Sequence, residues 1–319
     1  MVAEQTGRGL TTEQLRHYRE QGYVMLRGLF DPSELQPLID QIDAAVDKQA
    51  REWYAEGRIG SAYAEYGFKT RFIKMVEDAG ELLYNQFTGS RLLLPTLFDL
   101  LRHPKLLDIV EPIVGSEIHC EGRHRLRPKL PNYDLADFRW HEDTLYTARR
   151  ITYVEHQYGL GAHDPRRNRK VLSRIVAAPQ MPEPGFWIPL VDVDEVNGCL
   201  HLLPGGHRHT PPTIEEWEPT SFVPQIEGLE PVAAPMRVGD ALLMHQHFPH
   251  DSPPNRSDHI RWSVDIRYQS GSHPVKSARE PGFLARSQER PQDVVTTFEG
   301  YVRIREAVQA FQRATGLRL

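Results

Sequence analysis

The first third of the chain spaces its apolar residues as helices do, while the stretch after Ile118 groups them in short runs bounded by glycine and proline. Thr11-Thr12-Glu13-Gln14 has the form of a capping box, and Leu15 and Tyr18 outline a short helix that stops at Gly22. A strand is predicted from Tyr23 to Leu29. Asp31-Pro32-Ser33-Glu34 opens a second helix, with Leu35, Leu38, Ile39, Ile42 and Val46 at helical spacing. Residues 50–75 are polar and aromatic. Leu97, Leu100, Leu101, Leu106, Ile109, Val110 and Ile113 predict two further helices broken near His103-Pro104, where His103 serves as a cap or turn residue.

From Ile118 to Lys129 the pattern predicts the first strands of a barrel. Phe186 to Val193 reads as a buried strand, Glu195-Val196-Asn197-Gly198 as a turn, and Cys199 to Leu203 as the returning partner strand, ended by Pro204-Gly205-Gly206-His207. Hairpins of this sort build an antiparallel barrel. Beyond Gln269 the chain reads as irregular until a helical segment over Gln292 to Thr315. The expectation is one domain over 1–319: a mostly helical layer in 1–115, a barrel core in 116–270 with an insert near 147–180, and a helical segment in 271–319.

Charge and composition narrow the function. Across 319 residues the net charge is −5 with the signs mixed, which leaves no basic field for nucleic acid. No apolar run approaches the roughly 18 residues that cross a bilayer. Met1 to Leu10 lacks the apolar core of a secretory signal and Leu317-Arg318-Leu319 is not the Ser-Lys-Leu peroxisomal address, so cytoplasmic residence is expected. Cys120 and Cys199 are too few for a disulfide framework or a thiolate cluster, and suit small buried positions.

The candidate chemistry lies in His141-Glu142-Asp143 and in the stretch from Gly239 to Gln269. On a strand, His141 and Asp143 fall on one face while Glu142 points to the other. A third ligand is available in His250, after the buried run Ala241-Leu242-Leu243-Met244; His245 and His247 lie before Pro249. Two imidazoles and one carboxylate form the facial triad of non-haem Fe(II) oxygenases, with three positions left for co-substrate and oxygen. Arg261, eleven residues after His250, is suited to a bidentate grip on a carboxylate in the same cavity.

At these residues the sequence resembles the phytanoyl-CoA dioxygenase family of Fe(II)/2-oxoglutarate oxygenases. The matching stretches are Trp140-His141-x-Asp143, Trp187-Ile188-Pro189-Leu190, Asn197-Gly198-Cys199-Leu200, Pro204-Gly205-Gly206-His207, Gly239-Asp240, and the series His250, Ser252, Asn255, Arg261. The resemblance implies a mainly β fold with α additions: a double-stranded β-helix, the cupin-like jelly roll, with helices packed on one face. It implies Fe(II) held by His141, Asp143 and His250. It also implies 2-oxoglutarate with its distal carboxylate on Arg261, assisted by Ser252 and Lys74, and Trp187 beside it. The implied activity is oxidation of a C–H bond of a small-molecule substrate by O2, most simply hydroxylation, with release of succinate and CO2. Asp143 disfavours halogenation, because halogenating relatives have Gly or Ala there.

Two rival classes use fewer of these residues. A cupin-like metal-dependent isomerase or hydrolase needs the three ligands and has no need of Arg261. A non-catalytic small-molecule-binding barrel needs neither. Bland readings also compete for single residues: Lys74 as a solvated lysine, Trp187 as core, Arg125 on an outer strand face or against an anionic substrate, His207 and His209 as surface loop residues. Tyr146 is a candidate pocket residue. The insert rich in Arg149, Arg150, Arg166, Arg167, Arg169, Lys170 and Arg174 reads as a lid or as a solvated excursion or subunit contact, and the loop 211–230 as a cover for the barrel mouth.

Overall fold

The computed structural model describes residues 2–4, 9–80, 84, 92–133, 138–143, 182–208, 228–272 and 280–315. In chain order the elements are β1 (Val2–Glu4), α1 (Thr12–Gln21), β2 (Tyr23–Arg27), α2 (Pro32–Ala55), α3 (Arg71–Ala79), α4 (Pro95–Leu101) and α5 (Pro104–Val114). There follow β3 (Ile118–Cys120), β4 (Arg125–Lys129), β5 (Phe138–His141), β6 (Gly185–Pro189), β7 (Leu200–Leu202) and β8 (Val232–Ala234). The chain continues through β9 (Ala241–Met244), β10 (His250–Ser252), β11 (Arg261–Ser270), β12 (Phe283–Arg286) and α6 (Phe298–Thr315).

The predicted caps form. The Thr11 hydroxyl accepts from Gln14 N at 3.1 Å while Gln14 Oε1 accepts from Thr11 N at 2.8 Å, and Asp31 and Glu34 repeat the exchange at α2. His103 caps α5, its Nδ1 accepting from Lys105 N at 3.3 Å. Gly22 ends α1 with φ 86°, and a Cβ there would come within 2.5 Å of the His207 ring, so both backbone conformation and close approach demand glycine. His207 is thereby more than a surface residue: it leans on this corner and its Nε2 donates to Arg19 O at 3.0 Å.

Two sheets face each other. The larger runs β1-β2-β9-β6-β11-β3-β12 with β4 also paired to β11, and the smaller runs β5-β10-β7-β8. The expected hairpin between 186–193 and 199–203 does not form. β6 pairs with β9 and β11 in the large sheet, whereas β7 pairs with β10 and β8 in the small one. Between them the chain crosses sheets, its turn held by Asp194 Oδ1 accepting from the backbone of Val196 and Asn197. Such crossings make a jelly roll rather than a meander. A second expectation also gives way: 271–291 is not wholly irregular, since β12 pairs with β3, and its four-residue alternation is too short to stand out.

β11 holds the centre. Its even positions, Trp262, Val264, Ile266 and Tyr268, are fully buried. Trp262 stacks on Phe68 at 5.3 Å and lies 6.0 Å from Phe72 on α3, and the Tyr268 hydroxyl donates to Leu101 O at 2.9 Å on α4. The helices therefore cover the outer face of the large sheet. Its inner face carries Arg261, Ser263, Asp265 and Arg267, as the period of 2 requires.

Candidate metal centre

β5 and β10 pair antiparallel with His141 directly opposite His250. Cross-strand partners stand close enough to share a ligand, and the two rings lie 4.3 Å apart. β5 ends at His141, so Asp143 sits just beyond the strand rather than on it, yet its carboxylate still reaches the same point. One ligand atom from each of His141, Asp143 and His250 lies within 4.8 Å of the others. His250 Nδ1 stands 2.9 Å from Phe248 O. A carbonyl only accepts, so Nδ1 carries the proton and Nε2 keeps its lone pair for a metal.

The other histidines of this stretch are engaged elsewhere. His247 Nδ1 faces Glu142 at 3.3 Å, which also turns Glu142 away from the three ligands, and His245 packs between Tyr18 and His207. Burial alone would raise the Asp143 carboxyl. The Arg267 guanidinium beside it instead holds it well below the usual carboxylate range.

Arg261, Ser252 and Trp187 line the pocket that contains the three ligands. The Arg261 guanidinium lies 5.2 Å over the Trp187 ring, and its Nη1 donates to Gly198 O at 2.9 Å and to Ser252 Oγ at 3.1 Å. Its Nε is buried and has no partner among the described residues. Burial pulls Arg261 down to about 10, still charged at neutral pH. Gly198 has φ +81°, and a Cβ there would meet Pro253 O at 2.6 Å, so glycine keeps this corner open to Arg261.

The structure does not bring Lys74 to the pocket. It lies on α3, with its Nζ 2.8 Å from Glu77 and a side chain 38% exposed. Among the described residues the lysine nearest this end of the pocket is Lys129, opposite Arg261 across β4–β11 and behind the lining, whose Nζ donates to Ser252 O at 2.7 Å and to Ser252 Oγ at 3.1 Å. α3 turns its apolar residues Phe72, Met75 and Val76 inward, which leaves Lys74 on the opposite side.

The sequence reading singles out neither Lys129 nor Arg127 and Arg267, the last two of which line the pocket. A signal existed: Arg125, Arg127 and Lys129 alternate along β4, with Arg123 in the same phase just before it, and a row of cations needs a facing row of acceptors. Arg123 sits between Glu121 and Glu183, Arg125 faces Glu280 and Arg127 pairs with Asp265. Arg125 is thus an ion-pair partner outside the pocket lining, while Arg127 and Asp265 belong to it. Tyr146, the Arg-rich insert, His209 and most of the loop 211–230 lie outside the described residues.

Comparison with known proteins agrees with this geometry. Residues 18–263 match the sequence profile of the phytanoyl-CoA dioxygenase (PhyH) family. The chain is 23% identical to phytanoyl-CoA dioxygenase domain-containing protein 1 of Danio rerio, over 88% of this chain and 97% of that one. It is 28% identical to ectoine dioxygenase of Bordetella bronchiseptica, over 62% of this chain and 50% of the relative. Among solved structures it shares its fold with EctD from S. alaskensis with bound Fe, at a TM-score of 0.54 and 17% identity over 85% and 80% of the two chains. The non-heme monooxygenase ThoJ–Ni complex gives a TM-score of 0.51 at 15% identity over 94% and 96%. Since the family profile covers most of the chain, and the fold and the His-Asp-His grouping agree with it, the chain belongs to the phytanoyl-CoA dioxygenase family of Fe(II)/2-oxoglutarate-dependent oxygenases.

Proposed function

We propose that the protein hydroxylates a C–H bond of a small-molecule substrate, with His141, Asp143 and His250 holding Fe(II) and Arg261 holding the distal carboxylate of 2-oxoglutarate. The observation that carries this reading is the meeting, in one pocket, of three ligands within 4.8 Å and a buried arginine that makes no ion pair among the described residues. The donor set fits Fe(II), being two neutral imidazoles and one ionised carboxylate. The anion site fits a dicarboxylate. The Ser252 hydroxyl accepts from both Arg261 and Lys129, which leaves its own proton to donate to an incoming carboxylate.

With Fe(II) bound, the site couples decarboxylation of 2-oxoglutarate to succinate and CO2 with insertion of one atom of O2 into the substrate; the other atom enters succinate. The chain's own part is placement. Arg261, Lys129 and Ser252 fix one end of the keto acid, Trp187 walls its side, and the ligands fix the other end. Packing beneath β11 fixes the strand that carries Arg261, so the reacting groups meet in a set geometry. An isomerase or hydrolase on the same barrel has no use for the Arg261 and Lys129 pair. We place the activity in the cytoplasm, where the two buried, unpaired cysteines and a ferrous ion both suit a reducing milieu. Among the described residues no helix is long and apolar enough to cross a membrane.

The test is anaerobic titration of the Fe(II)-loaded protein with 2-oxoglutarate, watching for the weak visible band of keto-acid chelation. The expected result is a band in the parent that is lost in Arg261→Ala at the same concentration, with metal content unchanged. The truncation removes a buried charged partner worth about 2–4 kcal/mol, roughly 30- to 1,000-fold in affinity. Metal bound without any band in the parent would overturn the reading. A succinate-release screen over candidate substrates then reads out the hydroxylation.

A further inference from the structure

β11 delivers two arginines to one pocket, and the co-substrate needs one. Arg267 lies on the same face as Arg261, six residues further along, and its guanidinium meets Asp143 with two parallel contacts: Nε to Oδ2 at 3.0 Å and Nη2 to Oδ1 at 2.7 Å. This fork-to-fork geometry fixes the plane of a carboxylate as a single contact cannot. Both side chains are mostly buried, 12% exposed for Arg267 and 18% for Asp143.

We propose that Arg267 is a positioning residue for the metal centre, holding the Asp143 carboxylate in the orientation in which it meets a divalent cation beside His141 and His250. The inference rests on the ligand assignment made above and deepens it. A carboxylate offers about four lone-pair sites and the arginine fork takes two, so one oxygen can serve a metal while the fork stays in place. Asp143 needs this help more than the histidines do. His141 and His250 sit on paired strands, whereas Asp143 follows the end of β5 and has no ladder to aim it.

Arg267 is itself well anchored. Its backbone carbonyl accepts from Glu121 N at 2.9 Å and its Nη1 donates to Arg123 O at 3.4 Å, next to the buried Glu121–Arg123–Glu183 cluster. Across β6, Gly185 makes room for the pair: a Cβ there would stand 3.7 Å from both Asp143 Oδ2 and Arg267 Cγ, so an alanine would just fit and a larger side chain would press on both. The chain of fixed groups runs from the acidic cluster through Arg267 to the ligand. Supporting partners of this kind orient metal ligands.

A contrary reading makes the opposite prediction. If Arg267 only neutralises Asp143 and competes with the metal, removing its positive charge tightens metal binding. The experiment is anaerobic calorimetric titration of the full-length, metal-stripped chain with Mn(II), a redox-inert stand-in for Fe(II), in the parent, Arg267→Met and Arg267→Lys. Positioning predicts that Arg267→Met weakens Mn(II) binding about 10- to 100-fold. It predicts that Arg267→Lys, which keeps the charge and loses the fork, falls between. Affinity equal to or tighter than the parent in Arg267→Met overturns the proposal. Should that variant fail to fold, Arg267→Lys decides alone: weaker binding supports positioning and unchanged or tighter binding overturns it. Because Mn(II) titration needs no keto acid, its outcome is separate from that of the 2-oxoglutarate test. A parent that shows the keto-acid band while both variants bind Mn(II) normally would sink this inference and leave the oxygenase reading standing.

Discussion

The two sheets that face each other across the pocket bring different chemistry to it and are built differently. The small sheet carries both imidazoles on strands of three and four residues, with a register shift between His250 and Ser252. The large sheet carries the arginines on a ten-residue strand whose reverse face is packed solid with Trp262, Val264, Ile266 and Tyr268. Short strands gain little from their own ladders. The strands that would hold the metal thus depend on their neighbours for order, and Arg261, Arg267 and Lys129 come from the sheet whose central strand is the longest described.

The sharpest break in this division is a ligand change on the small sheet. His141→Ala is expected to lose metal by more than the about 10- to 100-fold that removing a supporting partner costs. Stability should change by only about 1 kcal/mol, as an edge strand contributes little to the core. Metal analysis beside a urea melt checks both; full metal content would remove His141 from the site.

On the large sheet the matching change is Lys129→Met. It strips a buried donor from Ser252 O and Oγ at a cost of about 1–3 kcal/mol. Appearing as weaker keto-acid binding, that is roughly 5- to 150-fold. Unaltered 2-oxoglutarate affinity would show that Lys129 only braces the strands.

Acid should distinguish the sheets as well. Burial pushes His119 on β3 down to about 4 and His124, next to β4, down to about 3. A folded-state pKa below the unfolded value of 6.5 means that the unfolded chain binds more protons. These two groups therefore stabilise the fold fully above pH 6.5 and progressively less as the pH falls toward 4 and then 3. Thermal melts from pH 7 to 5 are expected to show a falling midpoint, with a shallower fall in His124→Leu. Identical slopes would assign the acid sensitivity elsewhere. The smallest effect belongs to Lys74→Met, within about 0.5 kcal/mol for stability and with no change in 2-oxoglutarate binding.

The sequence was most legible where one residue type has one geometric use. Thr11, Asp31 and Gly22 marked helix ends because capping chemistry is local, and His141, Asp143, His250 and Arg261 stood out because metal and carboxylate chemistry admits few substitutes. The hairpin reading of 186–203 failed because pairing partners are chosen by the whole sheet. Nothing local tells Leu200 to seek Ala234 and His250 to find Leu202 instead of β6. Lys74 and Lys129 were indistinguishable by type, and only helix phase on α3 and strand phase on β4 separate the lysine at Glu77 from the one at Ser252. Arg267 was hidden for the same reason, since its partner Asp143 lies far off in the chain.

The convergence of Lys129 and Arg261 on Ser252 Oγ sets two like charges around one neutral oxygen, and they repel each other whenever no anion lies between them. A bound dianion turns that repulsion into attraction, so part of its binding free energy returns as resistance to unfolding, about 2.7 kcal/mol at a hundred times its dissociation constant. The pocket would then work as a keystone seat: the arch stands without its stone, and saturating it is expected to raise the melting midpoint.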